Sequence, residues 1–126
     1  MEDALEQIGK IDCLTRWIRL RQEGVTLEKL LDQCGYNCIA LYGKDNVTEC
    51  IFHELKCSKI EVITFIMKNK NVISTSYPIV DADHIPWERI DAILTVTYED
   101  YMNLKREVSI PQNMKCITLG EVLYEL

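Results

Sequence analysis

The chain has 126 residues, 48% of them apolar and 27% charged, which suits one globular domain with a core of its own. Its formal net charge is −6, and its densest basic stretch, Arg16, Arg19 and Arg21, is broken up by Trp17, Ile18 and Leu20, so nucleic acid is disfavoured as a partner. No apolar run approaches the ~20 residues that span a bilayer, and Met1-Glu2-Asp3-Ala4 is acidic where an export signal is basic. The expectation is therefore a cytoplasmic chain, not inserted in a membrane, whose cysteines are free thiols.

Leu5, Ile8, Ile11, Leu14, Trp17 and Ile18 recur at steps of three and four and predict a first helix, which Gly24 stops. Thr26 is placed to cap a second, short helix carrying Leu27, Leu30 and Leu31 and ending near Cys34-Gly35. From Tyr36 the pattern changes. The run Asn37 to Tyr42 ends at Gly43 and reads as a buried parallel strand, followed by a helix from about Val47 to Lys56. Ile60 to Met67 is a β-branched strand, and Tyr77 to Val80 a weaker one. Asp91 to Thr97 is another strand, with a helix from about Glu99 to Glu107. Lys115 to Thr118 reads as the last strand and Gly120 to Leu126 as the closing helix. Strands alternating with helices imply right-handed crossovers and a parallel sheet. The expected class is α/β, a Rossmann-like three-layer α/β/α arrangement on a mostly parallel sheet of about five strands. Residues 1–35 form an N-terminal helical extension in this reading, and 36–126 the Rossmann-like domain.

Ligands of such a sheet dock beyond the carboxyl ends of the strands, here at the turn Gly43-Lys44-Asp45-Asn46-Val47-Thr48. A dinucleotide turn wants glycine where this chain has Gly43, Asp45 and Thr48, and only the first is present. Asp45 brings negative charge toward a pyrophosphate, and Thr48 crowds a close helix–strand contact. Asn46 and Glu49 have the spacing of a capping box, which satisfies the helix start that an anion would use. The strand-end acid that would hold a ribose is replaced by Met67, with Lys68 beside it. The residues that would face any ligand here are Gly43, Lys44, Asn46, Lys68, Thr97 and Tyr98. No catalytic residue and no cofactor is assigned.

Ile39-Ala40-Leu41-Tyr42-Gly43, Glu54-Leu55-Lys56, Ile60-Glu61-Val62, Asp91 to Thr97 and the terminal Thr118 to Glu125 together carry a resemblance. From Thr26 to Leu126 the chain resembles the small Rossmann-like domains found beside bacterial capsule and exopolysaccharide biosynthesis genes. It departs from them at the second and third glycines and at the strand-end Asp. The resemblance implies the fold and a setting in surface-polysaccharide synthesis, and the departures argue against cofactor binding.

Other constellations read as structural. Cys50, His53 and Cys57 fall within about 60° of one helical face but lack a fourth zinc ligand, and no metal site is assigned. Cys34 and Cys38 are one residue too far apart for a redox pair. Asp81, Asp83 and His84 lie in a polar loop. Asn46-Val47-Thr48 matches a glycosylation sequon that needs export to matter. The leading expectation is a non-catalytic accessory domain that binds a partner protein or, weakly, a nucleotide or nucleotide-sugar. An enzyme with a rearranged turn, either an oxidoreductase or a nucleotide-sugar modifier, is the alternative, and a dimerisation module a third. Leu14, Trp17 and Ile18 are ordinary core if the first two helices fold back, and a homodimer face if they stand off. The second placement is slightly preferred, because the rest of the chain has elements enough for a core.

Overall fold

The computed structural model describes residues 4–43, 46–66, 79–80 and 84–124, with side chains from Ile11 onward except those of Asn46 and Ile79. The elements run α1 (Ala4–Gln22), α2 (Leu27–Gln33), β1 (Cys38–Tyr42), α3 (Asn46–Leu55), β2 (Glu61–Ile66), β3 (Ile79–Val80), a 3₁₀ turn (Trp87–Arg89), β4 (Ala92–Thr95), α4 (Tyr98–Glu107), β5 (Lys115–Thr118) and α5 (Leu119–Tyr124). All pairings are parallel and the spatial order is β3-β2-β1-β4-β5. Four of these are full strands. The expected count of about five is reached only by including the two-residue β3, which pairs with the end of β2. The 3₁₀ turn was not anticipated from the sequence.

The sheet buries both faces, and the alternation along β1 shows how. Ile39 and Leu41 point into one core with Phe65, Ala92, Leu94 and Ile117, while Ala40 and Tyr42 point into the other with Ile66, Ile93 and Leu104. The first core is closed by α1, α2, α3 and α5, the second by α4 and the segment around Ile85 and Ile90. In β2 the register slips. Ile39 pairs with Val62 but Ala40 with Thr64, so Ile63 is passed over, as in a β-bulge. The extra residue lets Val62 and Phe65, three apart, share the first core while Ile63 and Ile66 share the second.

The first two helices fold back. Trp17 and Leu20 of α1 and Leu27, Leu30 and Leu31 of α2 lie in the same core as β1. The preferred outward placement of Trp17 is therefore corrected: its side chain is 8% exposed, and its indole N–H donates to Glu54 Oε1 at 2.9 Å. Leu14 packs at the edge of that core, whereas Ile18 points outward. One stripe becomes two because, at 100° per residue, Trp17 and Ile18 are separated by more than a quarter turn. Leu5 and Ile8 of the predicted stripe lie outside the residues whose side chains are described.

The starts of the strands are levelled by Asp91. Its Oδ2 accepts from the N–H groups of Asn37 (2.9 Å) and Cys38 (3.0 Å), and its own N–H donates to the Cys38 carbonyl. β1 and β4 then run in register to Tyr42 and Thr95, so that the turns beginning at Gly43 and at Val96-Thr97 leave the sheet at the same end.

Candidate functional site

Between β1 and β4 the strand order reverses. The connection after β1 leads to one side of the sheet and that after β4 to the other, and the gap between them is the place where this architecture binds ligands. Gly43 leaves β1 with φ +143°, a backbone conformation that favours glycine. A β-carbon added there would sit 2.8 Å from Thr48 Oγ1 and 3.4 Å from Asp100 Oδ2. The first turns of the two helices flanking the gap thus rest on Gly43, α3 through a hydroxyl and α4 through a carboxylate. Thr48 is buried, in keeping with the crowding expected at the third glycine position.

The placement of Asp100 has a local cause. Thr97 ends the β4 segment in extended conformation and caps α4, its Oγ1 accepting the Asp100 N–H at 3.0 Å. The cap fixes the first turn, and with it the carboxylate beside Gly43. A phosphate brought up to Gly43 meets that charge. Two like charges ~4 Å apart repel by roughly 1 kcal/mol in water and about 4 near a protein surface.

The residues expected around a ligand have different fates. Gly43 is buried at the gap and Thr97 is the α4 cap. Tyr98 is 67% exposed and its ring stacks on Tyr101 at 6.0 Å, where the Lys105 ammonium lies 4.9 Å from the Tyr101 ring centre. Asn46 opens α3, but its side chain lies outside the described residues' side chains, and so does the capping box with Glu49. Lys44, Asp45, Met67 and Lys68 lie outside the described residues, as do Asp81 and Asp83. Sequence reasoning missed Asp100. The Thr97-x-x-Asp100 spacing signals a cap, but nothing local ties Asp100 to Gly43.

Next to Gly43, Tyr42 points into the second core and its hydroxyl donates to Glu107 Oε2 at 3.0 Å. Burial first, and then this carboxylate, push its pKa well above the ordinary 10.0, so it stays a neutral donor at physiological pH. Among the described residues no buried side-chain nitrogen or oxygen lacks a hydrogen-bond partner. Nor do three His, Cys, Asp or Glu side chains gather there in a way that would hold a metal ion. Cys50, His53 and Cys57 are all exposed.

Away from Gly43, the described residues line two open grooves. One, about 330 Å³, runs between α4 and β5 and is lined by Tyr101, Lys105, Val108, Met114 and Cys116. The other, about 480 Å³, lies by the starts of the strands, against Trp87, Ile90, Asp91 and Met114. Neither is lined by Gly43, Thr97 or Tyr98. Among the described residues no helix is long and apolar enough to cross a membrane. Comparison with protein-family models, curated proteins and solved structures finds no match to this chain.

Proposed function

We propose that the chain is a non-catalytic Rossmann-like accessory domain, its ligand gap closed to phosphate by its own side chains, that works by binding a protein partner in bacterial surface-polysaccharide synthesis. The observation that carries the proposal is the packing of Thr48 Oγ1 and the Asp100 carboxylate on Gly43. Backbone approach to a pyrophosphate needs that surface bare. The Rossmann-like reading is supported by the order β3-β2-β1-β4-β5 and by helices packed on both faces of the sheet. The setting in polysaccharide synthesis rests on the resemblance carried by Ile39 to Gly43, Glu54 to Lys56, Asp91 to Thr97 and the terminal helix.

An enzyme built on the same gap would need a polar group there with capacity to spare. Tyr42, next to Gly43, is held protonated by burial and Glu107, which supports the non-catalytic reading. The test is a thermal-shift and ligand-observed NMR panel with NAD, UDP-glucose and S-adenosylmethionine at millimolar concentration. Ligand at a hundred times its Kd stabilises a protein by about 2.7 kcal/mol, a shift of several degrees for a domain of this size. The expected result is no shift with any of the three. A saturable shift that Gly43→Val removes would overturn the proposal.

A further inference from the structure

One edge of the sheet is open. β5 pairs with β4 on one side, and among the described residues no strand pairs with its other side. Backbone N–H and C=O groups on such an edge are available to an added strand. The groove of about 330 Å³ runs between this strand and α4, with Cys116 of β5 in its lining. Small-molecule sites enclose most of the surface of what they bind, and this groove is open. Beside an unpaired strand it suits an extended chain, which bonds the edge through its main chain and fills the groove with alternate side chains.

The charges indicate which chain. Lys105 is the one charged residue in the lining of this groove, and its ammonium rests 4.9 Å from the centre of the Tyr101 ring. The groove of about 480 Å³ by the strand starts shares Pro111 and Met114 with it, and there the charged lining is Glu88 and Asp91, beside Trp87. The shared wall is a closed turn, in which the Met114 N–H donates to the Pro111 carbonyl at 3.0 Å. Among the described residues neither Lys105 nor Glu88 is drawn into an ion pair. A positive groove and a negative groove with a common wall are complementary to an occupant that carries both signs. We propose that an extended segment of a partner protein adds to the β5 edge, setting an acidic side chain against Lys105 and an arginine against Trp87, Glu88 and Asp91. Arginine suits the second groove because a guanidinium both stacks on an indole and bonds carboxylates. The net charge of −6 favours encounter with a partner that is basic overall. The proposal names the surface and chemistry of the protein partner, and so rests on the partner-binding reading. It makes no use of the gap at Gly43, so a failed peptide titration and a positive nucleotide panel are separate results.

The test is an NMR titration of the full chain with acetylated, amidated peptides of alternating threonine and valine that carry one arginine and one glutamate. Side chains on one face of an extended chain are an even number of residues apart, so the two charges are set two, four or six apart, in both orders. The expected result is a saturable shift of the Cys116, Met114 and Trp87 indole signals, with a Kd of about 0.1–1 mM for a small interface. One order should bind about fivefold or more tightly than the other, the preference fading as salt is raised. Lys105→Glu combined with Glu88→Lys, both at exposed positions, should leave the circular dichroism unchanged and reverse the preferred order. N-methylation of alternate peptide amides should abolish binding in one of its two phases, since it removes the main-chain donors. No saturable shift up to about 5 mM overturns the proposal, as do equal binding of the two orders, an unreversed preference in K105E/E88K, or tolerance of both N-methylated phases. Were the double variant to unfold, K105Q and E88Q would decide instead: each should weaken the preference, and an unchanged preference in both overturns the proposal.

Discussion

Glu54 holds three elements with one carboxylate. Its Oε1 accepts the indole N–H of Trp17 at 2.9 Å and lies 3.6 Å from Arg21 Nε; its Oε2 accepts the Leu27 N–H at 2.8 Å, at the open start of α2. Because the carboxylate is largely shielded and the groups it serves are part-buried, Glu54→Ala should cost about 2–3 kcal/mol, read as a lower urea midpoint at unchanged m. Trp17→Phe, which loses one of these bonds and part of the buried indole volume, should lower the midpoint as well, by about 1–3 kcal/mol. Neither role was legible in the sequence. Glu54 stood out only within a triplet carrying the family resemblance, and its partners lie 37 and 27 residues away. Gly43 is the opposite case. Its position at the end of an apolar strand made it readable, and the crowding from Thr48 followed from residue size alone. Gly43→Ala should destabilise by about 2 kcal/mol through its positive φ and the clash with Thr48 Oγ1. G43A/T48A should recover only the steric part, leaving a remainder that the backbone cost explains.

At the scale of elements, local patterning located every α-helix and full strand among the described residues to within a few residues, because periods of 3.6 and 2 leave a direct trace in the sequence. What patterning does not encode is which of two apolar faces an element uses. α1 carries both Trp17, which completes the core, and Ile18, which does not, and helical spacing alone set them in one stripe. The bulge in β2 is another instance: Val62 and Phe65 share a face although strict alternation separates them. Helix ends were more legible, since caps are local. Thr26 caps α2 as expected, and at α5 the Thr118 hydroxyl accepts the Glu121 N–H at 3.2 Å while Glu121 Oε1 accepts the Thr118 N–H at 3.3 Å. The shared core has a consequence for truncation. Trp17, Leu20, Leu27, Leu30 and Leu31 are all buried with the sheet, and at about 1.5–3 kcal/mol each their loss matches the whole stability of an ordinary domain. A chain beginning at Tyr36 should therefore be unfolded or aggregated by circular dichroism. Cooperative melting of that fragment would show that residues 36–126 hold together without the first two helices.

For the molecule as a whole, three buried or half-buried groups whose protons the fold tightens are distributed over both faces of the sheet. Tyr42 and Cys116 belong to the core under α4, and Cys13 packs against the opposite one. Burial is the first cause of the upward shift in each. For Tyr42 the hydrogen bond to Glu107 adds to it, and for Cys116 the charge of Lys105 works against it. All three are neutral when protonated, so the folded chain keeps its protons to higher pH than the unfolded one. The unfolded state therefore binds fewer protons at alkaline pH, and stability falls as pH rises. The contribution is complete below the ordinary thiol and phenol values of 9.0 and 10.0 and is lost above them. Urea midpoints should accordingly be level from neutrality to about pH 8.5 with respect to these groups and decline beyond, the steepest part above pH 10 coming from Tyr42. Tyr42→Phe separates the contributions. It should lower stability at pH 7 by about 1 kcal/mol, through the lost bond to Glu107, and flatten the decline above pH 10. A decline of the same steepness in that variant would place the alkaline sensitivity elsewhere in the chain. The same variant tests the bond by which Tyr42 joins the end of β1 to the last turn of α4. If it melts at alkaline pH like the parent, the phenol is a bystander; if the slope goes with it, the decline belongs to the Tyr42–Glu107 bridge from β1 to α4.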